Sequence, residues 1–274
     1  MKNILLIIII GFLVGCKTSP LPTQKYNQYE YYKSFKYDKE ELKIEFKNPL
    51  ASPLRIWIFN SNEELQKKLN EVNPIELDSK SDSTIVFNNI LNFDNNLNFS
   101  SRLGSTFKKI KPVKLELPFP NNKEYEILQG NETNFTHNTN WSKYAIDFHL
   151  KINDTVSSAT NGFVVGMIDH YEYGGKGIKW KPFANYITIY EPDSGVFIQY
   201  VHLAKNGSLV KIGDEVQSGQ PIALSGNTGQ SNVEHLHLNC LIPAANEDGL
   251  KSIPIEFIEG YKGLNLKKGD LVKK

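Results

Sequence analysis

Apolar and polar positions alternate with a period of two over much of the chain. Leu42, Ile44 and Phe46 alternate with Lys43 and Glu45, the pattern of a strand with one face buried. Leu54, Ile56 and Ile58 share one face of a second strand, and Thr84 to Phe87 and Val113 to Leu117 read as two more. The period changes once: Leu65, Leu69 and Val72, within Glu63 to Val72, have helical spacing and predict a short helix. Short strands with polar turns over 31–117 predict a small β-sandwich of immunoglobulin-like kind. It holds no catalytic constellation, so its expected role is spacing or recognition. Pro118 and Pro120 interrupt the pattern and set the expected boundary to a second, antiparallel β unit at 118–260, with a C-terminal tail at 261–274. Ahead of the strands, the stretch from Lys17 to Tyr29 is polar and carries Pro20 and Pro22, which predicts a flexible tether. The apolar run Ile4 to Val14 before it is shorter than the roughly 20 residues of a spanning helix.

Composition narrows the function classes. Hydrophobic residues are 40% of the 274 and charged residues 22%, enough apolar material for real cores. A net charge of +1 carries no general attraction to nucleic acid, so that class of partner is excluded. Two cysteines cannot form a disulfide framework. The first ends the apolar run as Leu13-Val14-Gly15-Cys16, which resembles the bacterial lipobox. That resemblance implies a lipoprotein signal peptide at 1–15, an acylated Cys16 and a tether at 16–30. The chain would then work outside the cytoplasm, held to a membrane by its lipid. Lys17 offers no inner-membrane retention signal of the familiar Asp type, so the outer membrane, facing the periplasm, is expected.

The second half carries the chemistry. In Glu234-His235-Leu236-His237-Leu238, strand geometry projects both imidazoles to one face and both leucines to the other. Such a pair is a metal clamp, a ligand beside a base, or two hydrogen-bonded surface histidines. Tyr200-Val201-His202-Leu203 lies on another apolar strand, and Asp147 stands inside the apolar run Tyr144 to Phe148, where its carboxylate needs a cation or donors. His137 lies ahead of it in a polar loop. The glycines of Val210 to Gly229 punctuate short β segments. They do not form a phosphate loop, since no Gly-Lys-Ser/Thr or helix follows. There is no His-Glu-x-x-His and no Gly-x-Ser-x-Gly, which removes the helical metalloproteases and the nucleophile-elbow hydrolases.

Taken in order, Asp147-Phe148, Gly162-Phe163-Val164-Val165, Tyr200-Val201-His202-Leu203, Val210-Lys211-Ile212-Gly213-Asp214, Ser218-Gly219-Gln220, Gly226-Asn227-Thr228-Gly229 and His235-Leu236-His237 resemble the lysostaphin/LytM-type zinc metallopeptidases. The likeness covers about 120 to 245. It implies an antiparallel β fold with a groove holding one Zn²⁺, and a peptidoglycan peptide as substrate. Asp147 and His237 fall on the family's metal ligands, and His202 and His235 on its catalytic histidines. The chain departs at the first histidine ligand, because Lys143 stands four residues before Asp147 where the common pattern has His. Thr136-His137 through Tyr144-Ala145-Ile146-Asp147 resembles a longer-loop variant and gives that ligand as His137. The competitor is His149, two residues after Asp147. Tyr200 is expected in the core and Cys240 as a packed thiol; His170 is expected to be solvated. The implied function is a lipid-anchored zinc metalloendopeptidase cutting peptidoglycan cross-links; the alternative is a non-catalytic LytM-type wall scaffold or amidase activator.

Overall fold

The alternation at Leu42, Ile44 and Phe46 places all three against a buried cluster from the strand Glu41–Lys47. This structure, a computed structural model, describes residues 20–133, 136–246 and 249–274; Cys16 and the apolar run before it lie outside them. Glu41–Lys47 pairs antiparallel with Tyr32–Asp38 and Asp82–Phe87. A second three-stranded sheet sets Leu54–Phe59 between Ile75–Leu77 and Asn98–Leu103. Leu54, Ile56 and Ile58 join the same cluster as Leu42, Ile44 and Phe46. The helix Glu63–Asn70 starts at Asn62, whose side chain accepts from the Glu64 and Leu65 amides, and it buries Leu65 and Leu69.

The second unit is built on a nine-stranded antiparallel sheet. Its order is Glu215–Val216, Gly162–Ile168, Tyr186–Glu191, Val196–Val201, Leu236–Pro243, Ile146–Phe148, Glu124–Gln129 and Leu271–Lys273, with Leu250–Ser252 added beside Leu236–Pro243. A smaller sheet of Leu203–Ser208, Pro221–Ser225 and Thr155–Ser157 supplies Leu203, Ile222, Ala223 and Val156 to the core shared with one face of the large sheet. Along Val196–Val201, residues Val196, Ile198 and Tyr200 point into that core. Phe197, Gln199 and Val201 take the other face.

That other face is divided. Val165, Tyr190, Phe197, Leu241 and Leu250 join the buried cluster of the first unit, whereas Gln199, Val201 and His237, further along the same strands, line an open groove. The first unit therefore caps half of the sheet and leaves the other half as the site. Arg55 fastens the two: its guanidinium, 1% exposed, donates to the Leu103 and Gly104 carbonyls of the first unit and to Ala244 and Gly249 of the second. A chain beginning at residue 108 would expose this apolar patch, several hundred Å² on the scale of side-chain areas. It should aggregate in size-exclusion chromatography, while a chain from residue 20 runs as a defined species. A soluble, folded fragment would contradict this division of the face.

Contacts and pairings cross several of the expected boundaries. Val113 to Leu117 is not a sheet strand: Leu115 makes an isolated parallel bridge with Phe257, and Leu115 and Leu117 pack in the second core. Lys108 already holds the Tyr190 hydroxyl and the Pro192 carbonyl. The expected tail is built in, since Leu271–Lys273 pairs with Glu124–Gln129 and Val272 is fully buried.

The expected tether also docks before residue 30. Gln28 C=O accepts from the Met167 amide. Tyr26 packs on His170 and Tyr171, at centroid distances of 4.6 and 5.4 Å. Gln28 Oε1 lies over Gly166, where a Cβ would come within 2.5 Å of it. Tyrosines that look polar in a sequence bury their rings.

Candidate metal centre

The groove of about 740 Å³ is lined by side chains from five adjacent strands of the large sheet and by the loops around them. No residue of 32–117 lines it. Gln28, from the segment ahead of the first unit, does, next to Trp141 and Tyr186.

At its floor, Leu236–Pro243 and Ile146–Phe148 run antiparallel with His237 opposite Asp147. Leu236 and Leu238 are fully buried in the core, which drives His237 to the groove. His237 Nδ1 lies 2.9 Å from Asp147 Oδ1. His137 arrives from the loop after Glu124–Gln129 and is fully buried. Its Nδ1–H donates to the Gly130 carbonyl at 2.8 Å, which fixes the tautomer and turns Nε2 to the site. That Nε2 is 3.2 Å from Asp147 Oδ1 and 3.3 Å from His237 Nδ1. The loop is held by Thr136 Oγ1 donating to Gln129 Oε1 and by Asn131 Nδ2 donating to the Ala145 carbonyl.

Two ligand atoms about 2.1 Å from a tetrahedral Zn²⁺ are about 3.4 Å apart. The three contacts among His137, Asp147 and His237 match that separation to within about half an ångström. Two imidazoles and a carboxylate also leave the fourth position open, the donor set of catalytic sites. The residues present thus fit one zinc ion. His149 is half-buried and lies outside both this cluster and the groove lining.

Electrostatics support the assignment of charge. Burial alone would raise the Asp147 carboxyl, but His235, His137 and the hydrogen bonds from His137 and His237 hold it well below the carboxylate range. Burial lowers His237 against the pull of Asp147, keeping it neutral. For His137, burial also pulls down, yet the Asp147 charge and hydrogen bond win and raise it.

His202 and His235 sit beside the cluster with ring centroids 4.4 Å apart. His235 Nδ1–H donates to the Val233 carbonyl at 2.9 Å, with Ser231 Oγ at 3.3 Å, and its Nε2 is 3.7 Å from Asp147 Oδ2. His202 Nδ1–H donates to the Thr228 carbonyl at 2.7 Å. Burial, followed by the neighbouring His235 and His237, depresses the His202 pKa well below the ordinary histidine value.

Strand alternation puts Tyr200 and His202 on one face, but the structure separates them. His202 has φ +68°, a left-handed conformation that turns its ring into the groove. Tyr200 stays in the core, its hydroxyl accepting from the Ala159 amide. The break is secured by Asn185, which is fully buried and donates to the Tyr171 and Leu203 carbonyls. Thr228 Oγ1 also donates to the Leu203 carbonyl.

The groove-lining Gln28, Gln129, Trp141, Lys181, Tyr186 and Lys268 carry no motif and were not foreseen; nothing in their spacing marks them. Cys240 is buried in the core and its thiol is pushed up to about 12 by desolvation, an inert group. His170 is exposed, as expected, with Tyr26 tilted against its ring.

Residues 142–248 match Peptidase family M23. Asp147, His202, His235 and His237 fall inside that stretch, and His137 just ahead of it. Lysostaphin of Staphylococcus simulans is 34% identical over 120 residues, covering 43% of this chain and 22% of that protein. The peptidoglycan DD-endopeptidase ShyA of Vibrio cholerae is 33% identical over 106 residues, 39% of this chain and 22% of that one. A protein of Buchnera aphidicola described as an uncharacterized metalloprotease is 34% identical over 129 residues, 46% of this chain and 30% of that protein. The chain thus spans less than a third of the length of each of these relatives.

Proposed function

We propose, from the premise that residues 142–248 form a domain of peptidase family M23, that this protein is a zinc metalloendopeptidase hydrolysing peptide cross-links of peptidoglycan. The observation that carries the reading is the convergence of His137 Nε2, Asp147 Oδ1 and His237 Nδ1 in an open groove beside two further histidines.

His137, Asp147 and His237 would hold the ion. Zn²⁺ bound there supplies a Lewis acid for the scissile carbonyl and lowers the pKa of an attacking water toward about 7. The protein's own groups do the rest. His202 and His235 each spend Nδ1–H on a backbone carbonyl, so the neutral form of each presents its lone pair at Nε2, the state required of a base. Burial keeps His202 neutral well into the acid range. The pair takes the proton from water at Nε2 and returns it to the departing amine. Gln230 along the groove offers its side-chain amide to an extended peptide backbone.

Anchoring completes the reading: Cys16, acylated, would hold the enzyme to the outer membrane with its groove in the periplasm. The docked segment from Gln24 to Gln28 leaves seven residues between Cys16 and Gln24, a reach of about 25–30 Å.

The ligand and base roles separate experimentally. His235→Ala should keep close to one zinc per chain while losing at least a hundredfold in turnover of peptidoglycan fragments. Elemental analysis beside a cleavage assay reads both quantities. Loss of zinc together with turnover would make His235 a ligand and overturn the assignment.

A further inference from the structure

The groove crosses five neighbouring strands in the order Tyr186–Glu191, Val196–Val201, Leu236–Pro243, Ile146–Phe148 and Glu124–Gln129. Its lining residues follow the same order: Tyr186, then Gln199 and Val201, then His237, Asp147, and Leu128 with Gln129. His237 stands on the middle strand. At one end, the turn Ile178–Phe183 leads into the first strand and brings Lys181 to the groove. At the other, Lys268 lies in the turn before Leu271–Lys273, where the Gly269 amide donates to the Ile127 carbonyl of the last strand. Strands are about 4.8 Å apart, so Tyr186–Glu191 and Glu124–Gln129 each lie about 10 Å from the His237 strand, on opposite sides of it, and the two lysines stand in the turns next to them.

Apart from histidines, the charged side chains lining the groove are Lys181, Lys268 and Asp147. Asp147 is committed to His137 and His237. Neither lysine has an ion-pair or hydrogen-bond partner for its ammonium among the described residues, and both are exposed. Among the described residues the groove therefore presents two unneutralised cations flanking the histidine and aspartate cluster, and no free carboxylate to repel an anion.

We propose that Lys181 and Lys268 are specificity-determining residues that select an anionic peptide, one carrying a free carboxylate on each side of the bond that is cut. An extended chain covers about 10 Å in three residues, so each carboxylate belongs about three residues from that bond or on a side chain reaching as far. Two stem peptides with acidic side groups, joined through the scissile bond, meet this requirement. A bridge of uncharged glycines does not. The inference rests on the peptidase reading above and narrows its substrate class.

The test uses the two-domain protein with zinc and two synthetic cross-linked peptides that differ only in having their side carboxylates free or amidated. Wild type should favour the free carboxylates in kcat/KM by about tenfold at low salt, and the preference should shrink as ionic strength rises. Each exposed ion pair is worth about 0.2–1 kcal/mol, up to about fivefold. Lys181→Met and Lys268→Met should therefore each lower the selectivity ratio by up to about fivefold, through KM, and the double variant should bring it close to one. Lys→Arg at either position should restore the ratio. Equal rates on both peptides with wild type, or lysine variants that leave the ratio unchanged, would overturn the proposal.

Fluorescence anisotropy with labelled versions of the two peptides runs in parallel. If zinc-loaded protein cuts neither peptide, the peptidase reading fails. The anisotropy ratio then still decides for or against the lysines.

Discussion

Replacing His237 by alanine should abolish zinc binding at micromolar metal and reduce peptidoglycan cleavage by on the order of 10³-fold, because it removes one of the three proposed ligands. The effect reaches beyond the missing nitrogen. Asp147 is 5% exposed and is held ionised against its burial by the surrounding histidines. His237 gives the shortest of its contacts, at 2.9 Å. Without it the carboxylate keeps His137 at 3.2 Å and His235 at 3.7 Å, a pair without the geometry of the original cluster. The change removes a side chain from the groove floor and none from the core, since the core face of this strand belongs to Leu236 and Leu238. The variant should therefore stay folded, with near-native circular dichroism. A folded variant that retains a full equivalent of zinc would show that His237 does not bind it.

Arg55→Ala should destabilise the protein by about 3–5 kcal/mol, the scale of losing several hydrogen bonds from one buried charged group. Four carbonyls, two from each unit, accept from this one guanidinium. Desolvation lowers its pKa, with Glu76 opposing, yet an arginine remains charged. Its removal takes a donor from all four oxygens, of which Gly249 keeps the Ala244 amide. Denaturant unfolding should show a lower midpoint, and limited proteolysis should open the connection between the two units. Arg55→Lys should rescue little, because one ammonium cannot span four acceptors in a planar fork. A midpoint within about 0.5 kcal/mol of wild type would mean the apolar contacts of Phe197 and Leu241 join the units unaided.

These cases show which parts of the molecule its sequence displays. Strand periodicity is local, and so Leu42 to Phe46, Leu54 to Ile58 and the His235–His237 pair could be read from it directly. The spacing of His137 from Asp147 was legible only through likeness to a longer-loop pattern, since a loop histidine carries no period. Alternation failed at His202 because a single left-handed residue inverts its face, and that strain is sustained by Asn185 and Thr228 from distant parts of the chain. The Gln24–Gln28 segment reads as polar spacer, although its docking depends on Tyr26 meeting Tyr171, 145 residues away. The division of one sheet face between a capping unit and a groove was equally out of reach. Phe197 and Val201 lie on the same face of one strand, and only the first is covered.

The first unit leaves the groove open, as no residue of 32–117 lines it. Activity should therefore be visible in the intact two-unit protein without prior activation. The most direct test of the central claim incubates protein beginning at residue 20, loaded with zinc, with purified peptidoglycan sacculi, beside a His237→Ala control. Mass spectrometry of the soluble fragments is the readout. Conversion of cross-linked dimers to monomers by wild type alone is the predicted result, and the fragment masses identify the bond. Intact cross-links after exposure to folded protein carrying one zinc per chain would contradict the account.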